Sequence, residues 1–514
     1  MVLVTKRTLA LPIYLVAVAS LVACGAKYSR SVHDQTPSAS RNPNTALAGP
    51  VVRADQNSES YARIVENQFR DTGKHPTSTF AIDVDTASYS NMRRFLNTGK
   101  RPPVDAVRLE EMINYFSYDY PEPAGAHPFS VITEVGPAPW NAKHKLLHIG
   151  LKGRTIGKKA MPSRNLVFLL DVSGSMMSRD KLPLLVSGLS MLVNNLTARD
   201  RVAVVVYAGA AGMVLPPTSG NNKPAILEAL RRLRAGGSTN GSGGIHLAYD
   251  LAKRYFSKDG INRVILATDG DFNVGTTSRQ ELVELIESKR KSGVFLTVLG
   301  FGSGNLKDDT MEMLANKGNG NYAYIDSATE ARKVLVTQAG GTLVTIAKDV
   351  KIQLQLNPDR IASYRLLGYE NRMLKNTDFN DDKKDAGEIG AGHTVTALYE
   401  IVLKPGAPAG ELANVKLRYK LPKGDKSTLF SQRVGDRSSA LSATSSDFRL
   451  SAGVAAFGML LRDSKHKGEA SFGMAAALVK GTLARDAHGY RKQLVGLIDK
   501  AAPLFGGKAK ALAR

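Results

Sequence analysis

Between residues 160 and 340, segments with the pattern of buried strands alternate with segments with the pattern of amphipathic helices. The clearest strand is residues 165–172, a nearly unbroken apolar run of the kind that a parallel sheet buries on both faces. The clearest helix is residues 182–196, where a leucine recurs every three or four positions on one face. Strand and helix in repeated alternation predict an α/β domain with a doubly wound, mostly parallel sheet.

The segments on either side of this domain have other patterns. Residues 61–155 combine strand and helix candidates, residues 345–440 contain short strands separated by turn residues, and residues 446–505 are helical. Because strands are predicted on both flanks, we hypothesise that they pair into one discontinuous body into which the domain at 160–340 is inserted.

The first 23 residues have the organisation of a secretory signal peptide. Lys6 and Arg7 precede an apolar run over residues 9–23, which is shorter than a typical membrane-spanning helix. The run ends in Leu-Val-Ala-Cys-Gly at residues 21–25, which resembles the bacterial lipoprotein box, whose cysteine is lipidated and becomes the new N-terminus. Cys24 is the only cysteine in the chain, so an internal disulfide and a cysteine zinc site are excluded.

The lipoprotein box implies that the protein is lipid-anchored in the cell envelope, at the outer membrane if the cell is Gram-negative, because Gly25 follows the cysteine. Residues 24–60 are rich in Ser, Asn, Thr and Ala and indicate a flexible tether. The net charge of +23 suits anionic lipid head groups, anionic wall polymers or acidic proteins, and equally a solvated surface without a partner. Nucleic acid is not expected as a partner, because the chain contains no nucleic-acid-binding motif.

Three segments offer carboxylate or hydroxyl oxygens: two follow predicted strands at residues 171–175 and 268–270, and the third is a Gly-rich loop at 236–240 that precedes a predicted helix. In a doubly wound sheet the carboxyl edge is where ligands bind, so we expect the oxygens to meet there. Two carboxylates and three hydroxyls, with no His or Cys, favour Mg²⁺ or Mn²⁺ over zinc or copper, with Ca²⁺ as a further candidate. The predicted metal ligands are Asp171, Ser173, Ser175, Thr239 and Asp269.

The Asp-x-Ser-x-Ser motif at residues 171–175, the loop threonine and Thr-Asp-Gly at 268–270 resemble the metal-ion-dependent adhesion site of von Willebrand factor type A domains. The resemblance covers about residues 160–340. It implies that the five residues hold a divalent cation and that an Asp or Glu of a partner completes its coordination. Asp271 and Asn273 follow closely and are candidates for orienting bound water, with an ordinary polar loop as the alternative.

Two further stretches carry a resemblance over about residues 60–505. They are Ser-Thr-Phe-Ala-Ile-Asp-Val-Asp-Thr-Ala-Ser-Tyr at 78–89 and Ala-Ala-Phe-Gly-Met-Leu-Leu-Arg at 455–462. They are similar to a group of bacterial A-domain lipoproteins with an N-terminal extension and a C-terminal domain of unknown function. This resemblance implies the order of three regions, an extension, an A domain and a C-terminal domain, and adds little about function.

Several classes of function stay open. The first is a binding protein without catalytic residues, which captures a protein or envelope ligand through the metal. The second is an assembly or scaffold factor that acts through the flanking domains and the basic surface. A third is a phosphatase, because residues 82–86 resemble the Asp-x-Asp-x-Thr motif of haloacid dehalogenases, with Asp83 as nucleophile and Asp85 as acid and base. The strands and helices that such an enzyme requires are not predicted before residue 155.

Two other motifs are weaker. The sequence at Asp378, Asn380 and Asp382 resembles the start of a calcium loop but has Lys383 where that loop requires glycine. His144 and His148 are four residues apart, but the context is that of a strand, which argues against a zinc pair on a helix.

Overall fold

The computed structural model describes residues 57–237, 242–270, 279–407, 409–436 and 440–506. Within these ranges the strands are β1 Arg70–Asp71, β2 Thr77–Ala81, β3 Phe129–Ala138, β4 Asn141–Gly153, β5 Arg164–Asp171, β6 Arg201–Tyr207, β7 Ala211–Ser219, β8 Ile261–Thr268, β9 Phe295–Phe301, β10 Tyr322–Ile325, β11 Thr345–Leu356, β12 Ile361–Leu367, β13 Met373–Leu374, β14 Gly387–Gly390, β15 Thr394–Leu403, β16 Glu411–Lys420 and β17 Thr428–Gly435. The α-helices are α1 Ala87–Asn97, α2 Leu109–Asn114, α3 Leu182–Asn194, α4 Lys223–Arg231, α5 Ser242–Arg254, α6 Arg279–Arg290, α7 Asp308–Lys317, α8 Ala328–Arg332, α9 Ala339–Leu343, α10 Ser446–Leu461, α11 Phe472–Lys480 and α12 Tyr490–Leu504.

The central sheet has the strand order β10-β9-β8-β5-β6-β7, and its neighbouring strands are parallel except for β6 and β7. Alternate residues of β5 enter different layers of the core. Leu166, Phe168 and Leu170 lie in the layer with α3, α4 and α8, whereas Val167 and Leu169 lie in the layer with α5, α6 and α7. The strand is therefore buried on both faces, and the predicted doubly wound α/β fold is confirmed.

Two local features of this domain differ from the sequence expectations. The antiparallel edge strand β7 was not predicted; its sequence includes Pro216 and Pro217, which cannot donate to a ladder and are tolerated at a sheet edge. After β10 the sequence pattern predicts one helix over residues 328–338, whereas the structure has α8 followed by a π-helical turn at Lys333–Thr337.

Strands from both flanks of the central domain pair into two antiparallel sheets. One has the order β1-β12-β15-β4-β3, and the other β13-β2-β11-β16-β17, with β14 also on β11. In the first sheet Leu151 lies opposite Val395, and in the second Phe80 lies opposite Ile352. Their apolar residues form one common core. The hypothesis that the flanking strands pair around an inserted domain is confirmed by these registers.

The C-terminal helices α10, α11 and α12 share a core with α1 and α2. Phe448 and Phe457 of α10 lie in this core with Met112 of α2 and Leu497 of α12. A Cβ at Gly458 would lie 2.4 Å from Cδ2 of Leu109, so a larger residue at this position of α10 would displace the Leu109 side chain of α2. The helical region after residue 445 is thus built onto the N-terminal segment of the chain.

The predicted signal peptide at 1–23, Cys24 and the tether as far as residue 56 lie outside the described residues. At the end of the predicted tether, Ser58 and Ser60 donate backbone hydrogen bonds to the carbonyls of Gly304 and Leu306 at 2.7 and 2.9 Å. Among the described helices, none has the length and apolar character that crossing a membrane requires.

Candidate metal centre

Asp171 is the last residue of β5, at the carboxyl edge of the central sheet. Its side chain is buried, and both of its oxygens accept hydrogen bonds. The backbone N–H of Ser173 donates to Oδ1 at 2.9 Å, and the hydroxyl of Thr268, at the end of β8, donates to Oδ2 at 3.1 Å. Thr268 in turn accepts from the N–H of Gly270 at 3.1 Å. The carboxylate is therefore oriented from two adjacent strands.

Ser173 and Ser175 lie side by side in the turn that follows β5. Their Oγ atoms are 3.0 Å apart; Ser173 is buried and Ser175 is exposed to solvent. The turn is held to the Gly-rich loop, since Gly174 donates its backbone N–H to the carbonyl of Gly237 at 3.1 Å. The two hydroxyls thus continue the polar surface that Asp171 begins.

The loop threonine that the sequence predicts as a ligand follows Gly237 by two positions. Thr239 lies outside the described residues, and so do Asp271 and Asn273. The described part of the chain therefore contains four of the five predicted metal ligands.

Asp269 follows β8 directly and is buried. Its Oδ2 lies 2.9 Å from Nζ of Lys181, which also donates to Oδ1 of Asn305 at 3.0 Å. The Ser175 side chain is a further hydrogen-bond partner of this carboxylate. Asp269 is thereby joined to the serine turn on one side and to a buried ammonium group on the other.

The two carboxylates have opposite electrostatic environments. Burial raises the pKa of Asp171 to about 6, and the nearby Asp269 adds to the rise. Burial also acts to raise the pKa of Asp269, but hydrogen bonds from Asn305 and Ser175 and the charge of Lys181 bring that pKa below its ordinary value. Within the described residues, no Lys or Arg forms an ion pair with Asp171. The site therefore contains one carboxylate whose charge is compensated by a lysine, Asp269, and one whose charge is not compensated by an ion pair, Asp171.

This donor set fits a hard divalent cation. Asp171, Ser173, Ser175 and Asp269 present oxygen atoms only, and they are linked to one another by the contacts above. Their order along the two strands is the one that the sequence motifs require. These four residues, with Thr239 from the sequence, are the candidates for holding the metal.

Sequence reasoning did not identify three side chains of this site: Thr268, Lys181 and Asn305. Thr268 directly precedes the predicted ligand Asp269 in the Thr-Asp-Gly motif, and this position is the signal that could have identified it. Lys181 and Asn305 come from the segment before α3 and the loop after β9, and no spacing rule connects them to Asp269. Only the packing of these segments brings them together.

The residues of the phosphatase-like motif lie elsewhere, after β2. Asp83 is 4% exposed, and its Oδ1 accepts from the backbone of Asp85 at 3.1 Å while its Oδ2 accepts from Arg372 at 3.0 Å. Asp85 is 2% exposed and accepts from the backbone N–H of Tyr322 at 2.7 Å. Both carboxylate oxygens of Asp83 therefore already have a hydrogen-bond partner, one a backbone N–H and the other an arginine.

The two histidines of β4 have separate partners. His144 Nδ1 lies 2.6 Å from Oε1 of Glu400, and His148 Nε2 lies 3.0 Å from the hydroxyl of Tyr120. Both are on a strand, as the sequence indicated.

The loop that begins like a calcium site is a short 3₁₀ helix. Asp378 lies in that helix, at Asn376–Asn380, and accepts from the backbone of Lys375 at 3.2 Å. Asp382 accepts from the hydroxyl of Ser427 and pairs with Arg418 at 3.4 Å. Asp378 and Asp382 therefore both have partners within the protein.

Family models match almost the whole described chain. The model "von Willebrand factor" matches residues 55–148, "von Willebrand factor type A domain" matches 165–338, and "Uncharacterized protein YfbK, C-terminal" matches 341–504.

Individual relatives agree with these matches. YfbK of Escherichia coli strain K12 is 40% identical over 474 residues, which are 87% of this chain and 82% of YfbK. Inter-alpha-trypsin inhibitor heavy chain H4 of Homo sapiens is 28% identical over 154 residues, which are 28% of this chain and 16% of that protein. Among solved structures, a von Willebrand factor type A protein from Catenulispora acidiphila aligns with 71% of this chain and 89% of its own, with 18% identity and a TM-score of 0.42.

Proposed function

Because this chain belongs to the YfbK family of von Willebrand factor type A proteins, we propose that it is a binding protein whose A domain captures a partner through a divalent cation. The A-domain match supports a role in metal-dependent protein interaction or adhesion. The proposal contains no catalytic step.

The observation that carries the proposal is the meeting of Asp171, Ser173, Ser175 and Asp269 at the carboxyl edge of the central sheet. Oxygen ligands of this kind suit Mg²⁺ or Mn²⁺, with Ca²⁺ as the third candidate. Thr239 is the fifth ligand on the strength of its motif. A cation at this position would supply a Lewis acid that binds the carboxylate of a partner.

The charges around the site favour an acidic partner. Lys181 neutralises part of the charge of Asp269, so the protein does not cancel both positive charges of a divalent ion. Ser175 is exposed, which supports access from solvent on that side. An Asp or Glu of a protein ligand, or an anionic group of an envelope polymer, has the complementary charge.

We place the protein in the cell envelope, attached through a lipid on Cys24. The support is the sequence at residues 21–25, which ends an apolar run and contains the single cysteine of the chain. Metabolic labelling with a radioactive fatty acid tests this placement; the label should be lost in Cys24→Ala.

The experiment that tests the binding function is affinity capture from detergent-solubilised envelopes with the full-length protein as bait. Capture is compared in Mg²⁺, in EDTA and with Asp171→Ala, and captured proteins are identified by mass spectrometry. Asp250→Ala is the matched control, because Asp250 lies on the exposed part of α5 in the same domain. Isothermal titration with Mg²⁺ and Mn²⁺ measures the metal affinity of each variant directly.

A partner held by the wild type and by Asp250→Ala in Mg²⁺, and lost in EDTA and in Asp171→Ala, supports the proposal. Partners that survive both treatments favour the alternative of a scaffold that acts through the flanking domains and the basic surface. Unchanged metal affinity in Asp171→Ala would show that the metal does not bind at this site. Phosphate-ester hydrolysis that Asp83→Asn abolishes would restore the phosphatase hypothesis.

A further inference from the structure

The N-terminal end of the described chain lies along the loop that follows β9. Residues 58–60, which we call the strap, pair in the parallel direction with residues 304–307 of this loop. From these contacts we propose that the strap positions the candidate metal centre, because it fixes the loop residue that orients the predicted ligand Asp269. This inference rests on the proposed function and names the segment that sets the metal affinity of the site.

The backbone of the strap is bonded to the loop on both sides of Asn305. The N–H of Ser58 donates to the carbonyl of Gly304 at 2.7 Å, and the N–H of Ser60 donates to the carbonyl of Leu306 at 2.9 Å. Hydrogen bonds between two segments restrict the backbone freedom of both. Asn305 therefore lies between two residues that the strap holds in place.

The side chain of Glu59 strengthens the contact between strap and loop. Only 3% of this side chain is exposed, and its Oε1 accepts from the N–H of Gly304 at 2.8 Å. Arg94 of α1 donates to both carboxylate oxygens at 2.9 Å, and the hydroxyl of Tyr61 donates to Oε2 at 2.7 Å. Burial acts to raise the pKa of Glu59, but these hydrogen bonds bring that pKa below its ordinary value. The ionised carboxylate thus binds α1 and the loop at the same time.

The loop contacts the candidate metal centre through Asn305 and through its backbone. The side chain of Asn305 is hydrogen-bonded to the carboxylate of Asp269, and its Oδ1 accepts from Nζ of Lys181 at 3.0 Å. Gly270, directly after Asp269, has φ of +106°, and a Cβ there would lie 2.4 Å from the backbone nitrogen of Lys307. Glycine permits this close approach of the loop to the segment that carries the ligand. Displacement of the loop would therefore remove the group that orients Asp269.

The strap is also the end of the predicted tether that begins at Cys24. The chain from the proposed lipid anchor therefore enters the described body at the loop that contacts Asp269. A pull on the tether, or a partner that takes the place of the strap, would free the loop and weaken metal binding. Anchoring and capture are linked in this way through residues 58–60.

The first test measures the Mn²⁺ affinity of the full chain by isothermal titration. Glu59→Ala should raise the dissociation constant about tenfold and Asn305→Ala about 10–100-fold, the range for groups that orient a metal ligand. Glu370→Ala is the matched control, because this carboxylate also pairs with a buried arginine, Arg462, at 3.0 Å but lies outside the A domain and the strap. Its dissociation constant should equal that of the wild type.

A double-mutant cycle separates positioning from a general loss of stability. If the strap acts through Asn305, adding Glu59→Ala to Asn305→Ala should change the Mn²⁺ dissociation constant by less than about twofold, because the two residues belong to one chain of contacts. Effects of the two substitutions that multiply would show that the strap does not act through Asn305 and would overturn the inference.

Hydrogen exchange in EDTA gives a measurement that requires no metal. The backbone amide of Gly304, which donates to Glu59, should exchange at least about ten times faster in Glu59→Ala than in the wild type or in Glu370→Ala. Equal exchange rates in the two variants, or equal Mn²⁺ dissociation constants, would overturn the inference and leave the proposed function in place. A wild type that binds no divalent cation would overturn both.

Discussion

The ammonium nitrogen of Lys181 lies 2.9 Å from Oδ2 of Asp269, a residue that the sequence motifs assign to the metal. The lysine is buried, and its alkyl chain crosses the backbone at Gly302, where a Cβ would lie 2.2 Å from Cε. The protein thus supplies a fixed positive charge beside the proposed cation. A divalent ion bound at Asp171 would be repelled by that charge.

Lys181→Met should increase the affinity of the site for Mn²⁺. Methionine keeps much of the apolar chain that packs on Gly302 and removes the charge that opposes the ion. We expect about a tenfold lower dissociation constant, equivalent to about 1.4 kcal/mol. Isothermal titration measures it, with the exposed Lys253→Met as the control. An affinity that is unchanged or weaker would show that Lys181 does not oppose the metal.

Gly302→Ala should displace Lys181 and change Mn²⁺ affinity in the same direction. Gly302 has φ of +73°, and its added Cβ would overlap Lys181. Gly304→Ala is a matched control, because φ there is +92° and no atom lies within 4 Å of the added Cβ. Each substitution should cost about 1–2 kcal/mol of unfolding free energy from backbone strain. Equal Mn²⁺ affinities in the two variants would contradict the displacement.

Arg93→Met should strongly destabilise the whole chain. Arg93 of α1 is 2% exposed and pairs with Asp326 at 2.5 Å, just before the A-domain helix α8, and with Glu330 of α8 at 2.7 Å. Removing one partner of a buried ion pair leaves carboxylates uncompensated and costs about 3–5 kcal/mol. Urea denaturation measures the loss, and the exposed Arg231→Met should change stability by less than about 0.5 kcal/mol. A loss below about 1 kcal/mol in Arg93→Met would mean that the network rearranges.

His148→Gln should reduce the acid sensitivity of the fold. Burial lowers the pKa of His148 from 6.5 to about 3, so the unfolded chain binds more protons than the folded chain between these values. The stability contribution is complete above pH 6.5 and is lost as the pH falls toward 3. Between pH 7 and pH 5 the wild type should lose about 2 kcal/mol more than the variant. Urea unfolding at both pH values tests this, with the exposed His75→Gln behaving like the wild type.

The sequence predicted the local parts of the molecule well. The apolar run that became β5 and the leucine spacing of α3 reflect the geometry of a single segment, and periodicity reports that geometry directly. The motif at residues 171–175 predicted that Asp171, Ser173 and Ser175 lie together at the end of β5, because its spacing is also local. The edge strand β7 was missed because its two prolines and its exposed side chains lack the alternation of a half-buried strand.

By itself, the sequence determined the α/β character of the central domain, the oxygen-only chemistry of the candidate metal centre and the strands on either flank. Tertiary structure alone decided which distant groups meet. Lys181 reaches Asp269 across 88 positions, and Arg93 reaches Glu330 across 237 positions. Such contacts depend on how whole segments pack, and packing between distant segments produces no periodic spacing of residues in the sequence.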